Sequence, residues 1–299
     1  MELELGIDPS APFPRKLADN VWLLGNFYFN LFLIKGTTAS ALVEMGISGI
    51  TDDVIEQLES IGVSPDYLVL THPHADHLTG LPGLLAKFPK ATLVSGQGAQ
   101  EFIEHPKALP TFIKDDQFMS QMLRSKGIEP GRDPISHLEF PDNNIVVSTD
   151  MILDLGELTL NFSLSEGHSP GSILIHIPEK NMVIASDSLG FHFTGKRFLP
   201  LFFTGYLPFK NTLEKIRALK PDILGIGHQG PFLGNNAEKA LSSSYQKTIE
   251  LFDQISNDHR EIEVIAAELF TENYVDEFTL YTQDNIKNCC YLLVKRIRG

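Results

Sequence analysis

The octapeptide Leu70-Thr71-His72-Pro73-His74-Ala75-Asp76-His77 places three imidazoles and one carboxylate within six residues. It follows Tyr67 to Leu70, an apolar run without polar alternation, which predicts a short strand buried on both faces. Thr71 then marks where the chain surfaces. In an extended His-x-His, side chains two apart share a face, so one ion can take both His72 and His74. Asp76 and His77 come after the chain turns and can begin a second site a few ångströms away. Imidazole and carboxylate together suit zinc, iron or manganese, whereas calcium and magnesium favour oxygen ligands.

A complete site needs more ligands than this loop offers, and three further residues sit just beyond other apolar strands. His168 follows ELTLNFSLSEG, Asp187 follows NMVIAS, and His228 follows DILGIG. Each lies among small residues where backbone can bend around an ion. Any one alone would more often cap a turn or bond to backbone. In layered α/β folds neighbouring strand ends share an edge, so residues distant in sequence can converge there. Their order and their common placement argue for one centre.

Working outward, VWLLG, NLFLIK and SALVEM between Val21 and Met45 predict three antiparallel strands. Thr51 to Ile61 predicts an amphipathic helix stopped by Gly62. A helix over Leu78 to Phe88 and a strand over Ala91 to Ser95 repeat the alternation. Residues 97–126 are predicted mostly helical with breaks at Pro106 and Pro110, and 130–144 turn-rich, so the pair forms an insertion. Strands resume at ELTLNFSLS, SILIHIP and NMVIAS, and a helix over Asn211 to Lys220 precedes DILGIG. Beyond Pro231 the periodicity is helical through Ala237 to Ile255 and Arg260 to Phe270, with no strand expected. Residues 1–235 are therefore taken as the catalytic domain and 236–299 as a helical C-terminal extension packed on it.

The chain has 299 residues, 42% hydrophobic and 21% charged, a globular balance. Thirty-eight acids against 24 bases give a formal charge of -14, which disfavours nucleic acid and anionic membrane as partners. MELELGIDPSAPFPRK lacks a signal-peptide pattern and no stretch reaches the length of a membrane span, so a cytoplasmic location is expected. The two cysteines, Cys289 and Cys290, are adjacent, and both are expected as free thiols packed under a C-terminal segment.

The order His-x-His-x-Asp-His, then His, Asp and His resembles the metallo-β-lactamase superfamily, and THPHADHLTG is similar to the glyoxalase II form of its signature. The resemblance covers about Val21 to Pro231. It implies an αββα sandwich of two mixed β-sheets flanked by helices, with a dinuclear site at one edge. Carried over by position, it gives His72, His74 and His168 to the first metal, Asp76, His77 and His228 to the second, and Asp187 as the bridge. Early strand spacing, Glu44-Met45-Gly46 and the helices after GHQGP also resemble the quinolone signal response subgroup, which is thioesterase-like and holds two irons. Glu44 stands where many members carry Asp. It is read either as a residue orienting His72 or as a strand-end carboxylate exposed to solvent. Flavodiiron proteins carry a Glu that His74-Ala75-Asp76 lacks, which argues against oxygen reduction, and the acidic charge argues against RNA-processing members.

The expected cofactors are two divalent transition-metal ions, zinc or iron, with manganese also admitted. Ions about 3.5–4 Å apart can share a hydroxide that attacks a carbonyl or phosphoryl centre, with Asp76 as the catalytic residue relaying a proton. The leading substrate class is a small-molecule thioester or related carboxylic ester. A lactone or phosphodiester is the alternative, and a metal-retaining regulatory or ligand-binding protein is a third reading. The aromatic segment GFHFTGKRFLPLFFTGYLPFK is left open between a substrate pocket, internal packing and a homodimer contact. His192 within it is expected to make a local polar contact. His105, His137, His176 and His259 fit no ligand spacing and are read as structural or surface residues.

Overall fold

The computed structural model describes residues 11–194 and 197–299. The start of the N-terminal stretch read for targeting, and Gly195 and Lys196 of the aromatic segment, lie outside the described residues. In chain order the first strands are β1 (Arg15–Ala18), β2 (Val21–Gly25), β3 (Asn30–Lys35) and β4 (Ser40–Val43). Helix α1 (Thr51–Ile61), β5 (Tyr67–Leu70), α2 (Ala75–Leu78), α3 (Leu81–Lys87) and β6 (Thr92–Gly96) follow. Next come α4 (Ala99–Ile103), α5 (Ala108–Ser125), β7 (Asn144–Val147), β8 (Met151–Asp154), β9 (Thr159–Leu164), β10 (Ile173–Ile177) and β11 (Met182–Ile184). The chain continues through the hairpin β12 (Phe191–Phe193) and β13 (Arg197–Leu199), then α6 (Tyr206–Leu219), β14 (Ile223–Gly225) and β15 (Phe232–Leu233). It ends in α7 (Asn235–Ser256), α8 (Ile262–Asn273) and α9 (Gln283–Arg298).

Strands β1 to β7 form one sheet in sequential order, antiparallel as far as β4 and parallel from β4 to β7. The second sheet runs β15-β14-β11-β10-β9-β8, with β11 and β14 its parallel pair. Both sheets are therefore mixed, as expected. Successive side chains on a strand point to opposite faces, and the two cores divide on that period. Val21, Leu23, Phe32, Ile34, Val43 and Val69 meet Leu160, Phe162, Ile173, Ile175 and Ile184 between the sheets. Their neighbours Leu24, Leu31, Leu33, Leu42, Leu68 and Leu70 turn outward to Val54, Leu58 and Leu84 of the covering helices. On the other side Leu174, Val183 and Leu224 face Leu213, Ile216 and Ala240. The result is helix, sheet, sheet, helix, with α8 and α9 added as a C-terminal helical extension.

Several local readings need correction, and proline accounts for most of them. The helix expected over Leu78 to Phe88 is two helices, because the chain bends at Thr79-Gly80 and restarts with Pro82 in the first turn of α3. Gly80 allows that bend to pack against Met45, whose carbonyl oxygen would lie 2.1 Å from a Cβ there. Pro110 does not break α5 but sits in its first turn, where a missing N–H costs nothing, whereas the chain is non-helical around Pro106. Pro208 likewise lies in the first turn of α6, which starts at Tyr206 instead of Asn211. The strands β1, β7 and β8, none of them expected from the sequence, are short, partly exposed edge strands. A two-residue strand, β15, also follows Pro231 where none was expected.

Asp116 of α5 fastens the insertion to the loop that carries the histidines. Its buried carboxylate accepts from the Ser48 amide (3.0 Å), the Ser48 hydroxyl (2.6 Å), the Thr79 hydroxyl (2.7 Å) and the Ile135 amide (2.8 Å). Removing a buried acceptor strands its donors at about 1–3 kcal/mol each. Asp116→Ala is expected to lower the unfolding free energy by about 3 kcal/mol in urea denaturation, with Asp116→Asn losing less. An unchanged midpoint in the alanine variant would remove this anchor from the account.

Candidate metal centre

The seven predicted side chains arrive from both sheets at one edge. His72 leaves the end of β5, His74 precedes α2, and Asp76 and His77 lie within its single turn. His168 follows β9, Asp187 lies in the 3-10 turn after β11, and His228 follows β14. The loop at His228 passes so near His77 that a Cβ on Gly227 would lie 2.6 Å from its ring. Three non-glycine residues around the site hold left-handed backbone, Glu44, Ser186 and Gln229. Such strain of about 1–3 kcal/mol persists only where surrounding contacts enforce it.

Two groups of ligand-type atoms form, one from His72, His74, His168 and Asp187 and one from Asp76, His77 and His228. His168 Nε2 lies 3.3 Å from His74 Nδ1, and Asp187 Oδ2 lies 3.8 Å from both His72 Nε2 and His168 Nε2. Asp76 Oδ2 is 3.5 Å from His77 Nε2 and 3.3 Å from His228 Nε2. Asp187 also reaches the second group, with Oδ2 3.7 Å from His77 Nε2 and Oδ1 3.5 Å from His228 Nε2. Ligands about 2.0–2.2 Å from one tetrahedral ion lie roughly 3.4 Å apart, so these separations match a common ion.

The outer nitrogens fix which ring atom faces inward. His168 Nδ1 donates to the Leu201 carbonyl at 2.8 Å and His228 Nδ1 to the Tyr28 carbonyl at 2.7 Å, leaving both Nε2 atoms as lone pairs. His72 Nδ1 faces the Thr71 hydroxyl at 3.0 Å, and that hydroxyl donates to Glu44 Oε1 at 2.6 Å. Ser186 donates to the same oxygen at 2.6 Å, while Glu44 Oε2 makes an ion-pair contact with His77 Nδ1 at 3.2 Å. Glu44 is therefore buried, not exposed, and it touches His77 directly and His72 only through Thr71. That overturns the reading of an exposed strand-end carboxylate and adds His77 to His72 as a residue it positions.

Within this shell, His72 Nε2 and His77 Nε2 are buried with no hydrogen-bond partner among the described residues. Inward lone pairs without donors are what a bound cation satisfies, so the residues fit divalent metal. Burial holds the His72 imidazole well below its ordinary pKa, and burial with His168 nearby brings His74 to about 3. His77 moves the other way: burial opposes its charge, but the Asp76, Glu44 and Asp187 carboxylates outweigh that. Asp187 is held at about 2 against the effect of burial, by His77 and His228.

The remaining histidines stay outside the cluster. His105, His137 and His259 are exposed and His176 is half-buried on β10. His192 does not make the expected polar contact: both ring nitrogens are buried without partners among the described residues, between Phe198 and Phe232. Burial alone lowers it to about 4 and keeps it neutral. One residue at the centre had no sequence signal. Tyr281, between the last 3-10 turn and α9, donates its phenol to Asp76 Oδ2 at 2.8 Å.

A cavity of about 590 Å³ opens onto His74, Asp76, His168 and Asp187. Its walls include Phe102, Phe112 and Met119 from the insertion, Phe203 and Leu201 from the aromatic segment, and Phe278, Ile286 and Leu292 from the extension. The aromatic segment thus divides. Phe191, Leu201 and Phe203 line the cavity, Phe193, Phe198 and Phe202 are buried in packing, and Tyr206 stacks on Phe252 at 3.9 Å. Both cysteines are free; Cys290 is buried, and Cys289 is half-buried at the cavity wall. No helix among the described residues is long and apolar enough to cross a membrane.

Residues 25–228 match the metallo-beta-lactamase superfamily, so the chain belongs to that family of metal-dependent hydrolases. It is 22% identical over 223 residues to the uncharacterized protein YobT of Bacillus subtilis, covering 71% of this chain and 88% of that one. The archaeal superfamily protein ST1585 of Sulfolobus tokodaii has the same fold, with a TM-score of 0.60 at 19% identity over 90% of this chain and 99% of its own. A shorter match, 49% identical over 37 residues, links the chain to a hydroxyacylglutathione hydrolase of Photorhabdus laumondii. It spans 12% of this chain and 15% of that protein.

The contacts of Glu44 generate a measurable expectation. Partners that orient ligating imidazoles typically contribute about 10–100-fold to metal affinity. Glu44→Gln should weaken divalent-ion binding within that range in competition with a chelator, while the metal-free protein keeps its fold. Unaltered affinity would show that Thr71, Ser186 and His77 hold their places without the carboxylate charge.

Proposed function

We propose that the protein hydrolyses a thioester or related carboxylic ester of a small molecule, using two divalent metal ions. His72, His74 and His168 hold the first ion and Asp76, His77 and His228 the second. Asp187 lies within reach of both groups, with Oδ2 near His72 and His77 alike and Oδ1 near His228, and would bridge them. The observation that carries the substrate class is the largely apolar cavity ending at these side chains, which suits an acyl chain with its carbonyl at the metal edge. The short match to a hydroxyacylglutathione hydrolase falls in with that reading.

Zinc, iron or manganese bound here supplies a water of lowered pKa and a Lewis acid for the carbonyl oxygen. The chain's own residues do the rest. The lone pairs of the imidazoles are aimed by their outer hydrogen bonds, so the ligands are in place before the reaction begins. The Asp76 carboxylate, kept ionised by His77 and His228 against the effect of burial, takes the proton released as the nucleophile attacks and returns it to the leaving group. Phe102, Phe203 and Leu292 exclude bulk water and hold the acyl portion by apolar contact.

Two measurements test this. His74→Ala and Asp187→Ala should each lose metal loading and turnover together, and full hydrolysis by metal-free protein would reject the assignment. Across acyl thioesters, lactones and phosphodiesters, thioesters should be turned over fastest, and Phe203→Ala should raise KM for the longer acyl chains about 10-fold with little change in kcat. Preference for phosphodiesters or lactones would replace the substrate class. Negligible turnover of all three at full metal occupancy would favour a ligand-binding role.

A further inference from the structure

We propose that Tyr281 supplies its phenol oxygen as a fourth protein ligand to the ion held by Asp76, His77 and His228. The proposal rests on reading those three residues as a metal site. Tyr281 Oη lies 2.8 Å from Asp76 Oδ2 and 3.4 Å from His228 Nε2, and these two atoms are themselves 3.3 Å apart. Atoms bound about 2.0–2.2 Å from one ion are separated by roughly 3.0–3.5 Å, depending on whether the angle is octahedral or tetrahedral. The Oη–Nε2 separation falls within that range, and the shorter Oη–Oδ2 separation is that of the hydrogen bond which ligation would replace.

Proton positions point the same way. The phenol has one proton, and it is directed to Asp76 Oδ2. His228 Nε2 carries a lone pair because its Nδ1 donates to the Tyr28 carbonyl. Oη and Nε2 face each other at 3.4 Å, long for a hydrogen bond between them, and a shared cation would hold both atoms at that spacing. On ligation the O–H bond is exchanged for an oxygen–metal bond, and the proton leaves to solvent.

The placement is enforced by the backbone around it. The Tyr281 amide donates to the Phe278 carbonyl at 3.1 Å, and its own carbonyl accepts from the Tyr274 phenol at 3.0 Å. The next residue, Thr282, caps α9 by accepting from the Asn285 amide at 3.2 Å, and Asn285 donates to Asp115 of α5 at 2.9 Å. Tyr281 lines the cavity beside Asp76, and its 2.8 Å contact leaves no room for water between the two. The C-terminal extension therefore completes the metal centre as well as walling the cavity.

The test uses the full chain and Tyr281→Phe, which keeps the ring against Phe191 and Phe278. Metal-free samples of both should melt alike. Titration with cobalt(II), followed by visible absorption, should give two equivalents for the wild type, the second weakened at least 10-fold in the variant and the first unchanged. Loaded with ferric iron, the wild type should show a visible phenolate-to-iron charge-transfer band that Tyr281→Phe lacks. Two equivalents with the same affinities and spectrum in both proteins would overturn the Tyr281 assignment alone. Failure of the wild type to bind a second equivalent would overturn both this assignment and the two-metal reading beneath it.

Discussion

Five imidazoles and two carboxylates gather at one edge of this fold, all of them buried except the half-buried His74. His72 and His77 have ring centroids 4.1 Å apart, and each has an unpartnered Nε2 among the described residues. Each such atom costs about 1–3 kcal/mol when left unsatisfied. None of the ion pairs found for Asp76, Asp187 and Glu44 among the described residues involves lysine or arginine; all are with histidine. The carboxylates draw His77 and His228 toward their protonated forms, so the cluster balances its charge from within, and a bound cation would take the place of those protons. A metal held here would thus supply a charge that the interior already requires.

The two sheets are stitched together at that edge by the backbone of the ligand loops. The Ile173 amide donates to the Thr71 carbonyl at 2.8 Å, joining the strand after His168 to the residue before His72. The Asn30 amide donates to the Gly227 carbonyl at 2.8 Å, and the Gly230 amide returns a bond to the Asn30 side chain at 2.6 Å, bracketing His228. The Met45 amide donates to the His77 carbonyl at 3.2 Å, beside Glu44. Register between the sheets and geometry of the ligands are therefore the same constraint. A slip of one would displace the other, which is why strained backbone at Glu44, Ser186 and Gln229 is tolerated there.

Legibility in the sequence followed locality. His72, His74, Asp76 and His77 are four ligands on one loop, and His168, Asp187 and His228 share a position just past apolar runs, so a linear pattern encodes them. The alternation of Val21 to Leu24 and Leu31 to Ile34 likewise exposes which side faces the partner sheet. What depends on distant packing left no linear trace. Glu44 was visible as a carboxylate, but its pairing with His77 depends on how α2 turns back over β4. Pro110 reads as a break, and the helix after Pro208 reads as starting only at Asn211, because a proline in a first turn and one between helices look alike until the hydrogen bonds are known. Tyr281 lies 205 residues from the aspartate it touches, in a segment with no histidine after His259.

Position in the fold also separates chemistry from choice of substrate. The ligand atoms sit on short connections at strand ends, held from both sides by the sandwich core. The cavity walls come instead from the α4–α5 insertion, the β12–β13 region and the extension, which meet across the opening. Asp115 joins two of these walls by accepting from Thr282 at 3.3 Å and Asn285 at 2.9 Å. The walls can therefore change shape with little strain on the strand ends, while Tyr281 and the Asp76 turn cannot move apart without losing a buried hydrogen bond. Apolar atoms carry most of the cavity surface in a chain of formal charge -14. Long-range attraction then contributes little to capturing an anionic ligand, and affinity must come from desolvation of the part that enters, which favours a molecule with an apolar portion at least as long as the passage to His74.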